Sequence, residues 1–489
     1  MSIVRLSGSD KTVQSDATEE LKEYFGALSL KLGRVITYQV NTYGCQLNEA
    51  DSEKLCGMLN SFGLSANPDQ SDKPADVVVF NTCSVRENAE DRLFGNLGVC
   101  KSDSINNKDM IIAVCGCMMK VPDNVERIRK SFPYVDLVFD PQQLFNFPVL
   151  LRDTVRQKKQ LINIGSEDYI AEDDFFSIDR QRKFRALVPI MYGCNNFCSY
   201  CIVPYARGRE RSRDFESIIA EIRELAAEGY KEVMLLGQNV NSYGSGQADG
   251  KTFSDLFEAV CNIEGLNRVR FMSSHPKDLS RRVIDIMRDH PVAEKHLHLA
   301  LQSGSDRLLK RMNRPYTSEQ FFDIADYFRQ EVKEGSLTTD IIVGFPGETE
   351  EDFEATLKAV EHCRFDSAFT FQYSKRPGTP AASFEDQIPK DVVSARFARL
   401  LELQNDLAYR SNLSKVGHTY EILIEGQSKQ QPGIFTGRTM SNHLVNFVIP
   451  DSLLNLNTGD DFEGRLATVR IDSARPYSVD GVLENFTDV

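Results

Sequence analysis

Six of the eleven cysteines fall into two groups of three. One is compact, with Cys194, Cys198 and Cys201 inside GCNNFCSYC, and the other is dispersed over Cys45, Cys83 and Cys117. Thiolates are soft ligands suited to zinc and to iron–sulfur clusters, and four of them normally hold a cluster. A set of three therefore leaves one iron open to another ligand. Structural zinc is the competing reading of the compact set, but such sites usually combine two CxxC-like pairs. The CxxxCxxC triplet has no fourth Cys or His nearby. Cys56, Cys100, Cys115, Cys261 and Cys363 stand singly in apolar or helical contexts and are expected to be inert core residues.

A chain of 489 residues has material for about three domains and can bury its cores without disulfide staples. It shows no apolar leader at its N-terminus and no apolar run near the ~20 residues of a membrane span. With so many cysteines this points to the reducing cytoplasm, where cysteine groups serve as metal sites or nucleophiles. The net charge of −14 weighs against a nucleic-acid partner. Residues 180–213, however, carry eight basic side chains against one acid, Glu210, and bracket the compact triplet. Two readings follow: a patch that steers a polyanion towards those cysteines, or a charged face ion-paired with Asp179 and Asp214.

The elements that must position the cysteines form an α/β chain. Residues 1–33 read as a polar, poorly ordered extension with one short helical pattern, EELKEYFGALSL. In 34–154 the apolar runs VITYQV (35–40), DVVVF (76–80) and MIIAV (110–114) each precede a cysteine and then a helical pattern. Such alternation predicts an open parallel sheet, with Cys45, Cys83 and Cys117 converging beyond the carboxyl ends of its strands. A charged stretch, 152–185, reads as linker. Within 180–410 come RALVPIM, EVMLLG, RVRFMSS, HLHLAL, LTTDIIVG and SAFTFQYS, separated by amphipathic helices. Six βα units predict an incomplete (βα)6 barrel with its site at the top face, closed by a helix near 390–413. His296 and His298 in its fourth strand are expected to be structural. From 413 to 483 only short strands and Gly/Asp turns remain, which predicts a small all-β barrel.

GCNNFCSYC at the end of the first barrel strand resembles the cysteine loop of the radical S-adenosylmethionine (SAM) superfamily. That resemblance implies that Cys194, Cys198 and Cys201 ligate a [4Fe-4S] cluster whose fourth iron chelates SAM, which one electron cleaves to a 5′-deoxyadenosyl radical. It makes Gly237, Gln238, Asn239 and Gly344, at the ends of the second and fifth strands, candidate SAM contacts; Gly347 follows in the same turn. TYGCQLNEADSE, NTCSVRENAEDR, CGCM, GCNNFCSYCIVPYARGRERSR, LLGQNVNSYG, LQSGSDRLLKRMNRPYT, TDIIVGFPGETEEDF and FQYSKRPGTPAA are similar, over about residues 34–483, to the methylthiotransferase family.

This second resemblance implies another [4Fe-4S] cluster on Cys45, Cys83 and Cys117, with a sulfur on its open iron, and a C-terminal RNA-binding TRAM barrel. It implies a transferase acting on isopentenylated adenosine 37 in the tRNA anticodon stem-loop. One SAM would methylate the sulfur, and a second would supply the radical that removes hydrogen from carbon 2. An electron donor such as flavodoxin or ferredoxin and a sulfur donor are implied partners, with no membrane and a monomeric chain. Sister enzymes acting on threonylcarbamoyl-adenosine or a ribosomal aspartate are the nearest alternatives. A non-catalytic iron–sulfur carrier or zinc-stabilised RNA-binding module is the alternative from another class. The chain departs from the family at Met119-Lys120, where Ala-Gln is common. Its last segment, from Asn412, holds six Lys/Arg against ten acids, so RNA contact there is expected at a local face around Arg438, with 180–213 as the main attraction.

Overall fold

Two wholly buried strands, VVVFNT and IIAVCG, form the centre of the first domain. The computed structural model describes residues 8–68, 74–83, 87–165, 177–428, 431–450, 453 and 462–487. After helix α1 (Gly8–Leu32), the strands are β1 (Thr37–Tyr43), β2 (Ser65–Ala66), β3 (Val77–Thr82), β4 (Ile111–Gly116), β5 (Leu137–Phe139) and β6 (Leu161–Asn163). They pair in parallel in the order β2-β1-β3-β4-β5-β6. Alternate residues face opposite sides of a strand. Val77, Val79 and Ala113 accordingly meet α1, α2 (Gln46–Ser61) and α5 (Phe147–Gln157). Val78, Phe80 and Ile112 meet α3 (Glu87–Asn106) and α4 (Pro122–Ser131).

Two expectations for this region are corrected. Residues 8–32 form a 25-residue helix in place of a poorly ordered extension. Ala17, Leu21, Phe25 and Leu28 make a stripe at helical spacing, bury it in the domain core, and so hold an otherwise polar segment in place. The supposed linker 152–185 begins inside α5 and contains β6, the sixth strand. Its acidic run, 167–176, and residues 1–7 lie outside the described residues.

The second domain starts with β7 (Arg185–Pro189), followed by the short antiparallel pair β8 (Met191–Tyr192) and β9 (Arg211–Ser212) with α6 (Val203–Ala206) between them. The remaining strands are β10 (Glu232–Leu236), β11 (Arg268–Phe271), β12 (His296–His298), β13 (Ser336–Val343) and β14 (Ser367–Gln372). Helices α7 (Phe215–Ala227), α8 (Phe253–Cys261), α9 (Arg281–Asp289), α10 (Asp306–Arg311), α11 (Ser318–Glu331) and α12 (Glu350–Cys363) connect them, and α13 (Lys390–Leu413) follows. Parallel pairing within β7-β10-β11 and β12-β13-β14, bridged at Val269–Ala293 and Ser274–Leu299, yields one six-stranded arc, the expected incomplete barrel. Val188, Leu235, Leu297, Ile341 and Val343 point outwards to the helices. Leu187, Met234 and Leu236 point inwards, where Leu47 and Ala50 of α2 cover them. The chain ends in a closed barrel of β15 (Thr419–Gln427), β16 (Phe435–Thr439), β17 (Leu444–Val448), β18 (Leu466–Ala474) and β19 (Val479–Phe486), in the order β15-β16-β17-β19-β18.

That small barrel docks under the floor of the arc, at the amino ends of its strands. Arg270 lies 2.8 Å from Glu232 and 3.2 Å from Glu294 and donates to Asn442 Oδ1 at 2.7 Å. Arg268 donates to the carbonyl of Arg438, and Lys295 N to that of Met440. Arg438 itself pairs with Glu425 at 3.2 Å and donates to the Asn442 carbonyl. The turn expected to offer Arg438 to RNA is thus an internal joint between domains. Breaking a buried ion pair by removing one partner costs about 3–5 kcal/mol, so Arg270→Ala should lose that much in urea unfolding. Burial pushes the Glu294 carboxyl up to about 7, against the pull of Arg270. A raised acid favours folding below its unfolded pKa, and that contribution disappears as pH rises through the folded value. Glu294→Gln should therefore flatten the stability loss between pH 4.5 and 7; an unchanged slope would contradict the assignment.

Candidate active site

β1, β3 and β4 are neighbours and end at Tyr43, Thr82 and Gly116, so Cys45, Cys83 and Cys117 emerge side by side beyond their carboxyl ends. Gly116 has φ +103°, and a Cβ there would lie 2.1 Å from the Thr82 carbonyl oxygen, which leaves room only for glycine before Cys117. Cys45 is the N-terminal cap of α2, and its carbonyl accepts from Asn48 N at 2.8 Å. Its thiol is lowered to about 6, first by the hydrogen bond with Cys83, with Arg207 and the N–H groups of Asn48 and Leu47 adding to the effect against burial. Burial raises the Cys117 thiol, and Arg207 opposes that rise.

Arg207 belongs to the other domain. It follows α6, six positions after Cys201, and is 5 % exposed. Its Nε donates to Cys117 Sγ at 3.0 Å and its Nη2 lies 2.8 Å from Asp51 Oδ2 on α2. The chain segment that carries the compact triplet therefore also supplies the cation facing the dispersed one. Beside Cys117, the departure Met119-Lys120 has a local role: Met119 is buried in the core, and Lys120 pairs with Asp140 at 3.0 Å and donates to the Gly165 carbonyl.

The compact triplet occupies the loop between β8 and β9. Gly193, at φ +74°, would place a Cβ 2.1 Å from the Arg209 carbonyl oxygen, so the approach to Cys194 also requires glycine. Residues 311–314 brace the loop: Ser199 N and Oγ donate to the carbonyls of Met312 and Arg311, and Asn313 Nδ2 donates to those of Asn196 and Phe197. Arg314, buried, places Nη1 3.7 Å from Cys198 Sγ while Nη2 donates to the Ala300 carbonyl at 2.7 Å. Burial pushes the Cys194 thiol up to about 11 and the Cys201 thiol to about 12. The five single cysteines are buried or half-buried, and burial raises each of their thiols, as inert packing requires.

Gly237, Gln238 and Asn239 leave β10 at the barrel mouth, and Gly344 leaves β13. Gln238 Oε1 and Asn239 Oδ1 are buried without a partner, while Asn239 Nδ2 donates to Asp278 at 2.7 Å. Such unsatisfied acceptors fit the polar methionyl end of SAM, whose amino group donates. Gly237 and Gly344 have packing duties: a Cβ would fall 2.6 Å from Met191 and 2.4 Å from Val393, and Gly344 N donates to the Glu348 carboxylate. His296 and His298 share Thr338 Oγ1 at 2.8 and 3.0 Å inside the arc, and burial lowers His296. Among the described residues no three His, Cys, Asp or Glu side chains converge to ligate a single metal ion. Three thiols at each site suit a cluster, where each ligand takes a separate iron.

The basic segment 180–213 is not a free patch. Arg180 and Arg213 pair with Glu221 at 2.7 and 2.9 Å, Arg182 with Glu463 at 2.9 Å, Arg185 with Glu425 at 3.5 Å, and Arg207 with Asp51. Arg211 is buried, which leaves Lys183 and Arg209 as the exposed cations of the eight. Arg180 and Arg213 pair with Glu221 within the second domain while Arg182, Arg185 and Arg207 join it to the other two, and the expected steering surface is corrected accordingly. Arg207 and Arg314 were missed as site residues because charge alone does not separate a buried arginine from an exposed one. For Arg207 the available signal was its place six positions after Cys201; Arg314 stands far from every cysteine in sequence and reaches Cys198 only through the fold.

The six-stranded arc with its CxxxCxxC loop defines a radical SAM protein, and residues 188–360 match the Radical SAM superfamily. Residues 37–140 match Uncharacterized protein family UPF0004, and 413–483 match the TRAM domain. A curated relative from Acetivibrio thermocellus, named tRNA-2-methylthio-N(6)-dimethylallyladenosine synthase, is 46% identical over 98% of this chain and 97% of its own length. Relatives of the same name from Clostridium beijerinckii and Clostridioides difficile are 48% and 46% identical, covering 91% and 99% of this chain and 95% and 98% of their own. The chain belongs to the family of tRNA-2-methylthio-N(6)-dimethylallyladenosine synthases. Among solved structures, a radical S-adenosylmethionine methyltransferase, TsrM, from Kitasatospora setae aligns with a TM-score of 0.52 at 13% identity, over 71% of this chain and 74% of that one, a likeness of fold. No helix among the described residues is long and apolar enough to cross a membrane.

If Arg207 joins the domains, Arg207→Ala should cost about 3–5 kcal/mol, because Asp51 is left buried and unpaired. A double-mutant cycle with Asp51→Ala should return a coupling of about 1 kcal/mol or more. Additive single effects in urea unfolding would show that the pair does not act as a unit.

Proposed function

We propose that this chain methylthiolates carbon 2 of N6-isopentenyladenosine at position 37 of tRNA. The observation that carries the reading is Arg207, which ties the segment bearing one incomplete cysteine set to the other. Two vacancies in one enzyme suit a reaction that needs both a radical and a deliverable sulfur. Full-length relatives at 46–48% identity bear that activity in their names.

In this reading Cys194, Cys198 and Cys201 hold one [4Fe-4S] cluster and Cys45, Cys83 and Cys117 the second. When bound, the clusters supply the electron that cleaves SAM and an iron on which sulfur rides. The protein's own groups do the rest. Arg207 and Arg314 each set a guanidinium against one thiolate set, where hydrogen bonds to ligand sulfur tune potential. Gln238 and Asn239 offer acceptors at the barrel mouth, and α2 excludes water from the inner wall at β7 and β10. Carbon 2 of adenine is unactivated and has no leaving group, so no acid or base on the chain replaces the radical. The base reaches the interior by splaying out of the anticodon loop. The reading includes a one-electron donor of flavodoxin or ferredoxin type, a sulfur donor, and a monomer working in the cytoplasm.

Mass spectrometry of tRNA from a deletion strain should show the 2-methylthio-isopentenyl nucleoside replaced by its isopentenyl precursor; its persistence would refute the assignment. Anaerobically reconstituted protein should bind about eight irons. Cys83→Ala should keep reductive SAM cleavage and lose sulfur insertion, whereas Cys198→Ala should lose both. Identical behaviour of the two variants at every step would contradict the division of labour.

A further inference from the structure

The inner wall of the arc is unevenly covered. At β7 and β10 its apolar residues are sealed by α2, but at β14 two large aromatics, Phe369 and Phe371, are 48% and 44% exposed. Their register settles which way they face. Phe369 pairs with Asp340 and Phe371 with Ile342, while the alternate residues Ile341 and Val343 fill the helix-facing core. The Phe369 ring also meets the His298 ring edge-on, centroids 5.8 Å apart, across the intervening strand. His298 Nε2 lies 3.3 Å from Asp340 Oδ2, and the Asp340 side chain stays 27% exposed. The open stretch of wall thus carries two uncovered rings beside a carboxylate with acceptor capacity.

An uncovered aromatic pair inside a barrel costs free energy in water unless something apolar and flat seats on it. The next residues say what chemistry lies nearby. β14 runs into the turn 373–383, where Ala381 N donates to the Ser199 carbonyl at 2.8 Å, and an added Cβ at Gly378 would lie 3.9 Å from Ile202. The wall therefore leads directly to the compact cysteine loop. A group seated on Phe371 is held beside the place where the reactive chemistry starts.

We propose that Phe369 and Phe371, with Asp340 beside them, are the seat of the target base: a flipped-out purine with an apolar substituent on its exocyclic nitrogen. The rings stack on the purine and cover its alkyl group, which every base's π-face permits. Asp340, oriented by His298, accepts the single remaining exocyclic N–H. The inference rests on the substrate reading above and adds the residues that select the alkylated base.

The chain has no tryptophan, so Phe371→Trp installs a sole reporter, with Phe369→Trp as the second variant should the first not fold. Titrating the reconstituted full chain with a synthetic anticodon hairpin carrying N6-isopentenyladenosine should quench its emission. The same hairpin with an abasic target site should not. Phe369→Ala and Phe371→Ala should each weaken binding of the alkylated hairpin about 5- to 150-fold, with an unaltered thermal unfolding transition and no effect on the abasic hairpin. Unquenched tryptophan at saturation, or equal losses on both hairpins, overturns the proposal. If the wild-type enzyme forms no methylthio product on the alkylated hairpin, the substrate reading itself fails; if it does and the reporter stays silent, only this seat is wrong.

Discussion

A guanidinium taken out of water loses several kcal/mol of solvation unless it is paired and hydrogen-bonded. Arg207 meets that condition only when the first two domains are together: Asp51 comes from one, Arg207 from the other, and Cys117 accepts the remaining bond. The contact therefore makes domain docking and cysteine placement one event. Around it α2 has two tasks, capping itself with Cys45 and covering Leu187, Met234 and Leu236 of the barrel wall. Without that docking the wall would be wet and the buried Cys117 would lose the cation that faces it.

The barrel has opposed ends with different chemistry. Its floor gathers Arg268, Arg270, Glu232 and Glu294 against the turn after β16, which fixes the C-terminal barrel at the amino ends of the strands. Its mouth keeps unsatisfied acceptors at Gln238 and Asn239. Arg270, held by the floor's buried ion pairs, joins two domains through Asn442, and the acceptors at the mouth give a place for a ligand. The two guanidiniums divide in the same way, Arg314 bracing the compact triplet and Arg207 the dispersed one.

Much of this was legible in the chain. All six barrel strands and the three strands before the dispersed cysteines lie where the apolar runs put them, because buried parallel strands are nearly continuous in hydrophobicity. Of the N-terminal helix only the second half, EELKEYFGALSL, was legible, since the polar residues of 8–18 hide Ala17, the single buried apolar residue among them, which extends the stripe. The strand at 161–163 was too short to stand out from the charged region around it. The basic run was read from charge, and charge does not tell whether a partner waits in another domain. Arg182 and Arg185 find theirs in the C-terminal barrel, Arg207 in α2, each far away in sequence. The exposed rings on β14 carried no separable signal, because Phe in a strand usually means core.

In the proposed mechanism both cysteine triplets are cluster sites opening on one interior. Anomalous scattering at the iron edge, in crystals of the anaerobically reconstituted full chain, tests it most directly. Two iron peaks should appear, one beside Cys194, Cys198 and Cys201 and one beside Cys45, Cys83 and Cys117, with Arg207 still bonded to Cys117. Iron beside the compact triplet alone would contradict it.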